Sequence, residues 1–261
     1  MASLRRGWLK RLFGRDRLLP TVPPGTRVYA VGDIHGCNDL LTALLAKIQA
    51  DAGQSAGQNI LIFLGDYVDR GPHSKDVVDQ LVQLRWTGWE FIFLRGNHDQ
   101  AVLQFAADAN FYRSWRDFGG GETLRSYGVK PPLFDKEEAF AEAQRDFMTK
   151  CPPRHFEFFR SLKYLDIVGD YAFVHAGLRP GLALDRQSPE DLLWIRDEFL
   201  NYDGPFEKMV VHGHSPSSEP VRRSNRIGVD TGAYATDCLT AAVLVGENCT
   251  FLNARPVAEA V

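Results

Sequence analysis

Val28-Tyr29-Ala30-Val31-Gly32-Asp33-Ile34-His35-Gly36 is an apolar run that breaks on a glycine and then presents an aspartate and a histidine. Apolar residues with β-branched and aromatic content read as a buried strand, and the glycine as the turn that ends it. The arrangement returns twice. Ile60–Leu64 runs into Gly65-Asp66-Tyr67-Val68-Asp69-Arg70-Gly71, and Phe91–Leu94 leads to Gly96-Asn97-His98-Asp99. Between the first two runs, Leu40, Leu41, Leu44, Leu45 and Ile48 share one helix face, with Asn38 or Asp39 as the cap. Pro72 and Ser74 open a second helix that carries Val77, Val78, Leu81, Val82 and Leu84 inward. Two such β-α-β units predict parallel strands with right-handed crossovers. Metal-seeking side chains then gather at the carboxyl ends of neighbouring strands, where open α/β sheets place their ligand sites.

Further along, residues 100–162 change to helices and loops rich in aromatics, among them Phe105, Phe111, Tyr112, Trp115, Phe118, Phe147, Phe156, Phe158 and Phe159. That segment reads as core. Gly119-Gly120-Gly121 lies within it and lacks the Gly-Lys-Ser/Thr of a phosphate loop, so it reads as a backbone bend. The remainder is mostly β: Tyr164–Val168 and Tyr171–Val174 joined by a Gly169-Asp170 hairpin turn, then Met209–Val211, Arg226–Val229 and Leu239–Val245. The expected architecture is α/β, two packed, mixed sheets flanked by helices.

The chain has 261 residues, 44% of them apolar, enough for one large domain, expected over residues 25–261. Residues 1–24 read as a basic tail. The net charge is −3, yet residues 1–20 carry Arg5, Arg6, Lys10, Arg11, Arg15 and Arg17 against Asp16, which leaves the rest strongly acidic. An acidic body argues against nucleic acid as a partner. Cys37, Cys151, Cys238 and Cys249 are scattered without a CxxC spacing, as reduced thiols of a cytoplasmic protein would be. Arg5-Arg6 starts like a twin-arginine signal, but Arg11, Arg15, Asp16 and Arg17 interrupt the apolar stretch that export requires. Leu4, Trp8, Leu9, Leu12 and Phe13 would give a helix an apolar face for weak membrane-surface contact; a solvated tail is the simpler expectation. A monomer is expected.

The chemistry-bearing residues form a mixed donor set. Asp33, His35, Asp66 and Asn97 come from the first half, His175 from Val174-His175-Ala176-Gly177 and His214 from His212-Gly213-His214-Ser215-Pro216. Carboxylate, amide and imidazole together suit Mn²⁺, Fe or Zn²⁺ better than Ca²⁺.

With Asp230-Thr231-Gly232-Ala233 added, the motifs occur in an order that resembles the phosphoprotein phosphatase branch of the calcineurin-like metallophosphoesterases, in its bacterial and phage form. The resemblance spans nearly everything except the basic tail. It implies two divalent metals, with Mn²⁺ expected first: Asp33, His35 and Asp66 on one, and Asp66, Asn97, His175 and His214 on the other. It also implies His98 as general acid, Asp69 as the carboxylate orienting it, and Arg70 as a phosphate clamp. Arg196, in Leu193-Trp194-Ile195-Arg196-Asp197-Glu198, is assigned as the second clamp, with Arg179 or Arg222 next in line. The implied reaction is direct attack of a metal-bridging hydroxide on a phosphoprotein or phosphopeptide, at phosphoserine or phosphothreonine, with a specificity broad enough to include phosphotyrosine. Two other classes compete: a dinucleoside tetraphosphate hydrolase, disfavoured because Asp69-Arg70-Gly71 is intact, and an inactive phosphoprotein-binding module, disfavoured because every ligand is kept. His73 and His155 read as ordinary polar residues, His212 as a neighbour of the ligands, and Cys37 as a packed thiol. Tyr234 is placed where its hydroxyl could approach the phosphate.

Overall fold

The computed structural model describes residues 19–53 and 57–256. The amphipathic segment expected to touch membranes falls in residues 1–18, outside them. Residues 20–24 do not form a tail: Val22 is buried in the core and donates to Gly246 O at 3.2 Å, and Thr21 N–H donates to the Asp170 carboxylate at 3.1 Å. The packed residues therefore reach back at least to Thr21, ahead of the expected boundary at residue 25.

Among the described residues, ten strands form two five-stranded sheets. They are β1 (Thr26–Val31), β2 (Gln58–Phe63), β3 (Trp89–Phe93), β4 (Leu165–Val168), β5 (Tyr171–Val174), β6 (Met209–His212), β7 (Val221–Arg222), β8 (Arg226–Gly228), β9 (Leu239–Val245) and β10 (Asn248–Ala254). The first sheet has the order β10-β9-β1-β2-β3, with β1, β2 and β3 parallel and β9 antiparallel to both its neighbours. The second has the order β4-β5-β6-β8-β7, with β5, β6 and β8 parallel and the two edge strands antiparallel. The hairpin at Gly169-Asp170 pairs Val168 with Tyr171, as the turn dipeptide predicts.

The helices are α1 (Asn38–Ala52), α2 (Ser74–Gln83), α3 (Asn97–Ala107), α4 (Tyr112–Trp115), α5 (Gly120–Ser126), α6 (Glu137–Lys150), α7 (Pro153–Ser161), α8 (Pro189–Trp194), α9 (Asp197–Leu200) and α10 (Ala233–Thr236). Cys37 stands at the N-cap of α1 and makes no side-chain cap. Asn38 and Asp39 are therefore the first helical residues instead, with Asp39 in the first turn where the helix dipole favours an anion.

Alternation along β1 and β2 divides the apolar residues between two cores. Val28, Ala30, Ile60 and Ile62 face the second sheet and meet Phe173, Val211, Ile227 and Val229. Tyr29, Val31, Leu61 and Phe63 face the helices, where Leu41, Leu44 and Ile48 of α1 and Val77, Val78 and Leu81 of α2 cover them. Burying each such side chain stabilises by roughly 1.5–3 kcal/mol. The aromatic residues expected to be core extend this second cluster through α3 to α7. A third cluster, with Val174, Val210, Leu192, Ile195 and Phe199, closes the outer face of the second sheet. The layers are helices, sheet, sheet and short helices, and the parallel strands of both sheets end on one region.

Candidate metal centre

Six parallel strands deliver one polar residue each just past their last residue: Asp33 after β1, Asp66 after β2, Asn97 after β3, His175 after β5, His214 after β6 and Asp230 after β8. All six are buried. Their side chains turn inward at a backbone cost. Among the described residues, six non-glycines have left-handed φ, and five belong to this region: His35 (+46°), Asp66 (+52°), Asp69 (+72°), Arg70 (+67°) and His214 (+62°). Each such conformation costs about 1–2 kcal/mol. His35, with left-handed φ, is therefore not placed by continuing the extended backbone of β1. Close approach also requires two of the motif glycines. A Cβ on Gly96 would lie 2.0 Å from Asp66 Oδ1, and one on Gly213 would lie 2.1 Å from Asp33 Oδ1.

Two imidazoles are anchored in the same way. His35 Nδ1 lies 2.9 Å from Val68 O and His175 Nδ1 lies 2.9 Å from Leu64 O, so each Nδ1 carries the hydrogen and each Nε2 keeps its lone pair. Burial pushes His35 down to about 3 and also lowers His175, which keeps both neutral at ordinary pH. His175 Nε2 then faces Asn97 Oδ1 at 3.0 Å, His214 Nδ1 at 3.2 Å and Asp66 Oδ2 at 3.4 Å; His35 Nε2 faces Asp66 Oδ2 at 3.5 Å. His175 Nε2, Asn97 Oδ1 and Asp66 Oδ2 are three acceptors in contact with no hydrogen among them to share. A cation is what such a cluster can hold.

Charge balance points the same way. Burial raises the Asp33 carboxyl well above its usual value, and Asp230 and Asp66 raise it further. Burial, and then Asp66, lifts Asp230 to about 6. Asp66 itself is penalised by burial, but the surrounding histidines outweigh this and lower it, and among them His98 is the one held above its ordinary value. Ligand atoms converge in two groups, His35–Asp66–His98 and Asp66–His175–His214, each within 4.8 Å. Asp66 belongs to both, which fits a carboxylate shared between two cations. Asp33 lies one step out, its two oxygens accepting from His214 N–H at 3.0 and 3.2 Å.

Beside the pocket, His98 Nδ1 is 2.7 Å from Asp69 Oδ2, and His98 Nε2 points into the site, 3.8 Å from Asp66 Oδ2 and 3.4 Å from Arg70 Nη2. Burial pushes His98 down, but Asp66 and Asp69 prevail and hold it above its ordinary value. The Arg70 guanidinium stacks on the Tyr234 ring at 4.6 Å, and that ring meets the His35 ring at 5.3 Å. Tyr234 thus lies at the rim, over Arg70. Arg196 is exposed at the start of α9, and its charge reaches His175, His214 and Asp230.

Neither reserve arginine is placed for clamping. Arg179 is tied to Asp191 at 2.9 Å and to Glu198, and Arg222 lies on the edge strand β7, where its charge reaches Tyr171 and Cys249. His212 turns from the pocket to pack on Phe199 at 4.9 Å, because it is the last residue of β6 and alternation sends it to the outer face. His73 pairs with Asp76 on the surface, and His155 is satisfied by Tyr127 and Asp79. The Cys37 thiol is buried and pushed up to about 12, so it stays protonated.

Four residues outside the expected set shape the site. Trp115 Nε1 donates to Asp69 Oδ2 at 2.8 Å and Thr123 Oγ1 donates to Asp69 Oδ1 at 2.6 Å, fixing the carboxylate that holds His98. Asp99 accepts from Asp66 N, Gly96 N and Tyr67 N at 2.8–3.0 Å and ties two of the loops together. Asp230 stands two residues past its strand, as Asp33 does, and that spacing was the available signal.

Residues 26–242 match the family profile of the calcineurin-like phosphoesterases. The chain is 24% identical over 232 residues to an asymmetrical bis(5'-nucleosyl)-tetraphosphatase of Bacillus subtilis, covering 80% of this chain and 87% of that protein. It is 32% identical over 219 residues to a symmetrical bis(5'-nucleosyl)-tetraphosphatase of Acidovorax ebreus, covering 79% of this chain and 64% of that one. Among solved structures, the cold-active protein-tyrosine phosphatase of a psychrophilic Shewanella superposes with a TM-score of 0.55 at 17% identity, over 90% of this chain and 83% of that one. The last likeness is one of fold.

Proposed function

The chain belongs to the calcineurin-like phosphoesterase family, and we propose that this metal-dependent hydrolase cleaves dinucleoside tetraphosphates, with diadenosine tetraphosphate as the reference substrate. One observation carries the reading: curated relatives that align over about four-fifths of the chain bear the name bis(5'-nucleosyl)-tetraphosphatase. This favours the alternative over the protein phosphatase that Asp69-Arg70-Gly71 had suggested. The physical reason lies in what Asp69 touches. Its carboxylate is fully buried and taken up by His98, Trp115 and Thr123, so it reaches no substrate and cannot report which phosphoester is bound.

In this reading Asp33, His35 and Asp66 hold one cation, and Asp66, Asn97, His175 and His214 hold the second, with Mn²⁺ the metal best matched to the mixed donors. Bound there, the cations supply hydroxide at neutral pH and offset phosphoryl charge. Arg70 and Arg196 bind phosphoryl oxygens through their planar forks. Asp69 fixes the hydrogen on His98 Nδ1, so the proton that moves does so at Nε2, toward the departing oxygen. A departing nucleotide phosphate is a weak base and needs that proton less than a serine alkoxide does.

The test is a turnover panel with Mn²⁺: diadenosine tetraphosphate, phosphoserine and phosphotyrosine peptides, and p-nitrophenyl phosphate, with products resolved by chromatography. Diadenosine tetraphosphate should exceed the peptides in kcat/KM by more than an order of magnitude. A phosphoserine peptide turned over better than the dinucleotide sinks the proposal and restores the protein phosphatase.

A further inference from the structure

Three large aromatic side chains among the described residues are more than two-fifths exposed: Phe134, Trp194 and Tyr234. Phe134 lies in the 130–146 region, away from the metal-binding residues. Tyr234 has Arg70 over its ring. Trp194 is 42% exposed beside the site, and nothing in the chemistry above employs it.

Its placement is specific. The Trp194 ring lies 6.1 Å from the His214 ring at an interplanar angle of 86°, and 5.8 Å from Phe118 at 54°. Neither neighbour lies parallel to it, and Trp194 stays 42% exposed beside His214. The backbone beneath is fixed: Leu192, Leu193 and Ile195 are buried, and Asp191 is gripped by Arg179 and capped by Ser188. Arg179 thus braces the turn that carries both Trp194 and Arg196. An aromatic plane and a guanidinium two positions apart, next to His214, suit a ligand with a phosphate joined through a sugar to a flat base.

Resting on the reading of the chain as a dinucleoside tetraphosphatase, we propose that Trp194 is the surface on which a nucleobase of the substrate stacks. Indole is the strongest of the aromatic platforms, and stacking is tolerant of which base is presented. Base-free phosphate ligands would use Arg196 and the metals without it.

Calorimetric binding of ADP and of pyrophosphate to the Mn²⁺-loaded protein separates these contributions. The ratio of ADP to pyrophosphate affinity should fall about tenfold in Trp194→Leu, which keeps apolar bulk without a π face, and hold within about threefold in Trp194→Phe. Metal content and melting temperature confirm that each variant is folded. Trp194→Ala is a second variant with the same expectation as Trp194→Leu. An unchanged ratio in the Leu and Ala variants overturns the proposal. A wild-type enzyme that cleaves phosphopeptides but not diadenosine tetraphosphate overturns the functional reading instead, and the binding ratio still decides Trp194.

Discussion

In the loops that follow β1, β2 and β6, left-handed backbone, buried carboxylates and facing lone pairs are crowded together; across β3, in residues 97–161, rings pack on rings and no buried side-chain polar atom is left unpaired. Three of the seven unpaired buried atoms among the described residues belong to His212, His214 and Ser215, in or beside the loop after β6. The difference separates two kinds of packing. The helical layer buries ring against ring, and the loops gather the strained backbone and buried polar groups of the candidate metal site. The two regions meet at Asp69, where Trp115 and Thr123 of the layer reach a loop carboxylate.

Asp66→Asn should sharpen that contrast most. Activity should fall below detection, and elemental analysis should show loss of bound metal, since Asp66 stands in both ligand groups. Chelation should lower the melting temperature of the wild type and leave the variant unmoved, because ligand binding to the folded state is what stabilises it. Full turnover by the variant would break the two-cation account.

Phe140→Ala should do the reverse. The ring is fully buried against Tyr112 at 5.5 Å in the layer, and its loss should cost about 3–5 kcal/mol in denaturant unfolding with kcat per folded molecule preserved. A large drop in kcat at full folding would show that the layer does more than support the loops.

Trp115→Phe tests the junction. It removes one donor from Asp69 and should destabilise by about 1–3 kcal/mol. Turnover of phosphate esters with basic leaving groups should drop roughly tenfold, with a smaller effect on p-nitrophenyl phosphate, whose leaving group scarcely needs a proton. Equal losses on both would mean that Trp115 does not act through His98.

The smallest effect should come at Asp79, within the helical layer. Burial there works against the carboxylate, but Lys75, Arg154 and His155 outweigh it and hold Asp79 at about 2. A folded-state value below that of the unfolded chain, about 4, stabilises the protein above pH ~4, and the gain is lost as pH falls toward 2. Asp79→Asn should flatten acid destabilisation within that window; an unchanged profile would place the layer's acid sensitivity elsewhere.

The motifs made the ligand set legible because each follows a strong apolar strand, and a strand end fixes where the next residues lie. His35, Asp66, Asn97, His175 and His214 lie close together past the strand ends, with Asp33 one step out, and β1 to β6, β8 and β9 were readable from their apolar residues. The edge strands β7 and β10 were not. In β10 the side chains of Asn248–Ala254 are mostly exposed or half-buried, and β7 has only two residues, so neither leaves a continuous apolar run. Sequence therefore determined the identity of the candidate donors and most of the strands that carry them, since both depend on local pattern. Tertiary structure alone decided the contacts made across long separations. It brought Trp115 and Thr123 onto Asp69 and placed Trp194 beside His214; neither leaves a local periodicity, because a hydrogen bond or ring contact between distant segments depends only on how the layers pack.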